Sequence, residues 1–139
     1  MKIRKFLYNT PQEGVVFVFG SNTLGRHGRG AARDALIHYD AVVGLGEGST
    51  KYTYALPTCK WTPHLVPMEL EEIQEAVERF RTHVAEHPEL AFQLTSVGCG
   101  LAGYRHEQIA PMFEDFPSNC WLPEEWMPYI GMEHRYWSF

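Results

Sequence analysis

The sequence predicts an α/β fold: three layers, α/β/α, around a mixed, mostly parallel sheet. Three observations carry this. Val15–Phe19 is a short, continuously apolar run of β-branched and aromatic residues, and Ala91–Val97 is a second strand-like run. Between them, Glu69–Ala85 has a helical apolar stripe. Glycine-rich segments, Gly20 to Gly30 and Gly98 to Gly103, each follow one of the strand-like runs and precede a helix-like one. Strands alternating with helices imply parallel strands with helices on both sides, and ligands in such sheets bind at the carboxyl ends of the strands.

Taken in order, Lys2 to Leu7 reads as a first strand, closed by the turn residues Asn9, Pro11 and Gly14. Val15 to Phe19 reads as a strand buried on both faces. Ala31 to Tyr39 follows the first glycine segment as a helix, with Ala31, Ala35 and Tyr39 on one stripe. Gly44, Gly46 and Gly48 break the chain, and Tyr52 to Leu56 forms a strand that Pro57 stops. The helix over Glu69–Ala85 carries Leu70, Ile73, Val77, Phe80 and Val84 at spacings of three and four. Glu69, Glu71 and Glu72 lie at its start and Arg79, Arg81 and His83 near its end, matching the macrodipole. His87-Pro88 terminates it. Ala91 to Val97 is the next strand. Part of Glu107–Phe116 is helical, broken or delayed by Pro111, and Asn119 to Leu122 is a further short strand. The aromatic tail, Trp121 to Phe139, packs onto the body or a partner.

Length and composition suit one domain, residues 1–139. With 139 residues, 45% hydrophobic and 21% charged, the chain can bury a core without staples. The net charge of −5 argues against general binding to a nucleic acid backbone. It leaves room for a local basic pocket, because Arg26, His27, Arg29 and Arg33 gather in the first glycine segment. The three arginines are phosphate ligands or a solvated face. Cys59, Cys99 and Cys120 are widely spaced without a Cys-x-x-Cys pair, so no metal site and no disulfide framework is expected. The basic start, Met1 to Lys5, lacks a long apolar run, so no signal peptide is read, and no stretch is long enough for a membrane span. A reduced, cytoplasmic protein without a cofactor is the expectation.

Gly98, Gly100 and Gly103 satisfy the G-x-G-x-x-G pattern, but too late in the chain for a first βαβ unit. Glu124 and Glu125, near the distance of a ribose-binding acid, fall in a Pro-rich aromatic segment. No Gly-Lys-Ser/Thr follows either glycine segment, so a Walker A loop is absent. What the two segments do share is close backbone approach and unpaired N–H groups at a helix start, which together would clamp a phosphate-bearing ligand.

Four motifs in order resemble the macro domain (ADP-ribose-binding) family. They are Val-Phe-Gly-Ser-Asn ending at Asn22, Gly-Arg-Gly-Ala-Ala from Gly28, Tyr-Ala-Leu-Pro-Thr ending at Thr58, and Val-Gly-Cys-Gly-Leu-Ala-Gly-Tyr ending at Tyr104. The second loop is most similar to the branch that removes terminal ADP-ribose from proteins, and the chain also resembles short stand-alone macro-like proteins of bacterial and phage genomes. The resemblance spans Val15 to Leu122.

It implies a ligand site formed by Gly20, Ser21 and Asn22, by the first loop Gly28, Arg29, Gly30 and Ala31, and by the second loop Gly98, Cys99, Gly100, Leu101, Ala102 and Gly103. Asn22 would lie near the distal ribose, the second loop would hold the diphosphate, and Tyr104 would sit beside the ribose. The alternatives are that Asn22 is a turn or helix cap and that the glycines serve tight packing alone.

The departures are informative. The Gly-Asp-Ile/Val motif whose Asp contacts the adenine amine is missing from the N-terminal segment. The branch's Lys and Asp align with Cys59 and Ala102, and Lys60, one residue on, faces the opposite side of a strand. A Lys-based covalent mechanism is unsupported. The remaining candidates for chemistry are His27, Asp34, Lys60 and His106, and Cys99 at a helix-start loop would carry a lowered pKa. Three functions stay open. The chain binds ADP-ribose or a related nucleotide derivative and hydrolyses ADP-ribosyl linkages; it binds without catalysis, sequestering a nucleotide or reading ADP-ribosylated macromolecules; or it is a degenerate macro-like scaffold whose aromatic tail binds protein.

Overall fold

The computed structural model describes residues 2–138; Met1 and Phe139 lie outside the described residues. Eight strands form one sheet: β1 (Lys2–Lys5), β2 (Val15–Asn22), β3 (Gly48–Ser49), β4 (Thr53–Trp61), β5 (Leu65–Pro67), β6 (Ala91–Leu94), β7 (Cys120–Pro123) and β8 (Arg135–Ser138). Their order is β1-β8-β7-β6-β2-β4-β3, with β5 also on β4. All pairs from β1 to β4 along this path are parallel, and only β3 and β5 run antiparallel. The chain is therefore an α/β protein with a mostly parallel sheet.

The period of two along β2 sorts its side chains into two cores. Val16 and Val18 face the larger one, with Ile73, Val77, Phe80 and Val84 of helix α2 (Leu70–Glu86). Phe17 and Phe19 face the other, with Ala32 and Ala35 of helix α1 (Gly30–His38). Helices α1 and α2 thus cover opposite faces. A short helix α3 (His106–Ile109) runs into a 3₁₀ turn at Ala110–Phe113, and another short helix, α4 (Met127–Ile130), precedes β8.

Helix α2 is fixed at both ends. Glu69 and Glu72 form a capping box, with the Glu69 N–H donating to Glu72 Oε1 at 2.9 Å. At the far end, Asn119 Nδ2 donates to the carbonyls of Val84, His87 and Leu90 at 3.0–3.2 Å. His83, half-buried near this end, packs on Tyr54, Phe92 and His87. Burial, and then the charge of His87, lower its pKa. The unfolded chain therefore binds more protons below about pH 6.5, and stability is lost as pH falls through that window toward the folded pKa. Urea midpoints measured between about pH 5 and pH 7 will fall less steeply in His83→Gln than in the parent; identical slopes would overturn this.

Three boundaries differ from the sequence reading for physical reasons. Pro57 does not stop β4. Ser21 pairs with Pro57 and Asn22 with Cys59, so Thr58 is an extra residue in a bulge, and Pro57 sits directly beside that irregularity, where its missing N–H is tolerated. The first strand is shorter than expected, as is β6, which gives way to turn structure after Leu94. The tail is part of the fold: β8 inserts between β1 and β7, and Trp126 and Tyr136 are fully buried in the larger core.

Candidate functional site

At the carboxyl ends of β6, β2 and β4 a cleft of about 180 Å³ opens. Its floor is Gly20, Ser21 and Asn22 of β2 with Thr58 and Cys59 of β4. One wall is Arg26 and the segment Gly28 to Ala32; the other is Thr95 to Gly98 with Gly100, Leu101 and Ala102, and Leu65 closes one end. The bulge in β4 explains why Thr58 and Cys59, consecutive in sequence, both reach the cleft.

Asn22 holds the first loop together: its Nδ2 donates to the Arg26 carbonyl at 2.7 Å, and its Oδ1 accepts from the Arg26 N–H at 3.1 Å. The turn-closing role is thus present in a residue that also lines the cleft. Helix α1 begins at Gly30 with no side-chain cap, so the N–H groups of its first turn open onto the cleft wall. In the second loop, the N–H groups of Cys99, Gly103 and Tyr104 are spent on Ser96, Gly100 and Gly98 carbonyls. Those of Gly98, Gly100, Leu101 and Ala102 have no protein acceptor among the described residues. Residues on both sides of the cleft therefore carry N–H groups without a protein acceptor among the described residues.

The glycines separate into two groups. At Gly98, φ is +78° and a Cβ would meet Ile109 at 3.2 Å, so the fold itself requires glycine. At Gly28 and Gly100 the backbone is ordinary and a Cβ would have nothing within 4 Å. Nothing in the folded chain calls for glycine at these two positions, one on each wall.

Arg26 and Arg29 supply the positive charge of the lining. The Arg26 guanidinium lies 5.2 Å from the Trp61 ring centre, and neither arginine has a carboxylate partner among the described residues. Arg33 is exposed on α1 outside the lining.

The remaining expected residues lie elsewhere. Cys99 is half-buried with Sγ 3.6 Å from the Val97 carbonyl. Burial, and then the charge of Glu125, push its thiol up to about 11, the reverse of the lowered pKa expected from sequence. The helix that was to activate it begins only at His106 and has a single turn. Gly103, at φ +76°, lies outside the lining, and the Tyr104 hydroxyl donates to the Met68 carbonyl at 2.5 Å.

None of the four candidates for chemistry lines the cleft. His27 is 3% exposed, edge-on to Phe19, with Nε2 3.0 Å from the Val42 carbonyl. Asp34 accepts from the Tyr8 hydroxyl at 2.8 Å. Lys60 faces away from Cys59 and pairs with Glu72 at 3.0 Å. His106 Nδ1 accepts from the Trp126 indole at 2.9 Å. The lining itself contains no carboxylate, imidazole or amine. Sequence reasoning missed Ala32, Thr58, Cys59, Leu65, Thr95, Ser96 and Val97 as lining residues; only a Thr directly after a strand proline signalled Thr58.

A second cavity, of about 360 Å³, is lined by Pro123, Glu124, Glu125, Trp137 and Ser138. Ser96, from the cleft wall, donates its hydroxyl to Glu125, so the two spaces share a border. No group of three metal-ligating side chains occurs among the described residues, and no described helix is long and apolar enough to cross a membrane.

No known family matches this chain, and no curated protein matches it. In structure it is similar to a protein of unknown function from Bacteroides thetaiotaomicron, with a TM-score of 0.53 and 14% identity over 83% of this chain and 90% of that one. At that identity the likeness concerns the fold.

Proposed function

We infer that the chain binds ADP-ribose, or a related nucleotide diphosphate, in the cleft and does not hydrolyse it. The observation that carries this reading is the pair Gly28 and Gly100, glycines that the fold does not need, in the lining of a cleft whose residues include N–H groups without a protein acceptor among the described residues. Glycine there serves a ligand whose phosphate oxygens must come close to backbone. Arg26 and Arg29 supply countercharge.

At about 180 Å³ the cleft is smaller than the roughly 300 Å³ at the lower end of small-molecule sites. It suits the diphosphate and a ribose, and the base then continues past Ser96 into the neighbouring cavity. Glu124, and the Glu125 oxygen not bonded to Ser96, would accept there from an exocyclic amine, a role that the N-terminal segment of this chain does not fill.

Catalysis is disfavoured because hydrolysis at an anomeric carbon needs a positioned base, and the lining has none. Calorimetric titration with ADP-ribose, AMP, ADP and NAD should give selective binding of ADP-ribose. Incubation with an ADP-ribosylated protein should release no free ADP-ribose. Silence across the titration panel overturns the ligand assignment; turnover that is lost in Gly100→Glu overturns the non-catalytic one.

A further inference from the structure

Strand β1 is the outermost strand of the sheet, parallel to β8 on its inner side, and all four of its residues are exposed. Its other edge has no strand partner among the described residues, leaving backbone donors and acceptors free. The strand reads Lys2-Ile3-Arg4-Lys5, so alternation puts Lys2 and Arg4 on one face and Ile3 and Lys5 on the other. Arg4 lies 4.3 Å from the Phe6 ring centre and 5.8 Å from that of Trp121, and Arg135 lies 5.4 Å from the same Trp121. None of Lys2, Arg4, Lys5 and Arg135 has a carboxylate partner among the described residues, in a chain whose net charge is −5.

We propose that β1 takes up an acidic, extended peptide of a partner protein as an additional strand. Backbone pairing along the free edge supplies the attachment, and the side chains set the sequence. Opposite Lys2, Ile3, Arg4 and Lys5, a parallel strand would carry acidic, apolar, acidic and acidic residues; an antiparallel strand would carry the reverse order. A second copy of this chain is disfavoured, because two such edges would set like charges opposite each other. Single-stranded nucleic acid is disfavoured too. Both close cations already lie over Trp121, so that ring is not open for base stacking.

The test is fluorescence anisotropy of the labelled hexapeptides Thr-Glu-Val-Glu-Glu-Thr and Thr-Glu-Glu-Val-Glu-Thr titrated with the full chain. One of the two should bind. The double variant Lys2→Glu with Lys5→Glu, which leaves Arg4 on Phe6, should weaken it by about tenfold or more while retaining the parent's melting temperature. N-methylation of all internal peptide bonds of the hexapeptide, which removes every N–H that could face β1, should abolish binding at unchanged charge. Failure of both hexapeptides to bind overturns the proposal. So does equal binding of the N-methylated peptide, which would be charge attraction alone, or tighter binding of a labelled oligothymidylate of equal charge.

Discussion

Gly100→Glu and Gly28→Glu will each lower the affinity for ADP-ribose by about 100-fold or more, roughly 2.8 kcal/mol, while the melting temperature stays within about 2 °C of the parent. Neither position has positive φ, and neither Cβ meets anything within 4 Å, so the folded chain accepts a side chain at both. The new carboxylate would then occupy the space that the proposed phosphate needs and repel it, beside a lining whose charged side chains are the two arginines. Gly30, on the same loop, is a poorer place for the experiment: its φ of +59° would add backbone strain of about 1 kcal/mol to any effect on binding. Calorimetry together with thermal melting checks both halves. Retained affinity in both variants would move the ligand site away from the cleft.

How far the sequence reached depends on which interactions are local. Helix α2 was legible because its apolar stripe and its acidic start are both patterns within one segment, and the observed capping box uses those same glutamates. The run of β2 was legible because strands covered on both faces are continuously apolar, as Val15 to Phe19 are. Strand β8 was not, since its place between β1 and β7 is set by parallel partners far away in sequence. Within the site, the glycine loops were found through their composition. The loss of Cys99, Gly103 and Tyr104 from the lining was not visible, because it follows from the loop turning back on itself through the Gly103–Gly100 and Tyr104–Gly98 hydrogen bonds. Three of the four candidates for chemistry lie outside the lining for a similar reason: Asp34, Lys60 and His106 each have a partner distant in sequence, namely Tyr8, Glu72 and Trp126. Thr58 became a cleft residue through a bulge that only the pairing of β2 with β4 defines.

The glycines that sequence reading treated as simple chain breaks carry the other large effect. Gly46→Ala will lower stability by about 2 kcal/mol and weaken ligand binding as well, although Gly46 lies outside the cleft lining. A Cβ there would stand 2.4 Å from the Asn22 carbonyl oxygen and 3.0 Å from Thr23 backbone atoms, so rigid backbone rather than a movable side chain must give way. The segment it belongs to lies flat against the base of the first loop. Gly44 donates to the Gly25 carbonyl at 2.9 Å, and the Ser21 hydroxyl donates to the Gly46 carbonyl. Pushing the two segments apart displaces Asn22, and with it the pair of hydrogen bonds that brackets Arg26 on the cleft wall. Gly25→Ala will cost more, about 3 kcal/mol, because a Cβ 2.4 Å from the Gly44 carbonyl carbon is added at a φ of +69°. Gly28→Ala is the control: its Cβ enters open space, so stability should stay at the parent value while affinity alone responds. Urea unfolding and ADP-ribose titration of the three variants separate the cases. Parent-like stability and affinity in Gly46→Ala would show that the backbone contact with Asn22 does not hold the first loop in place.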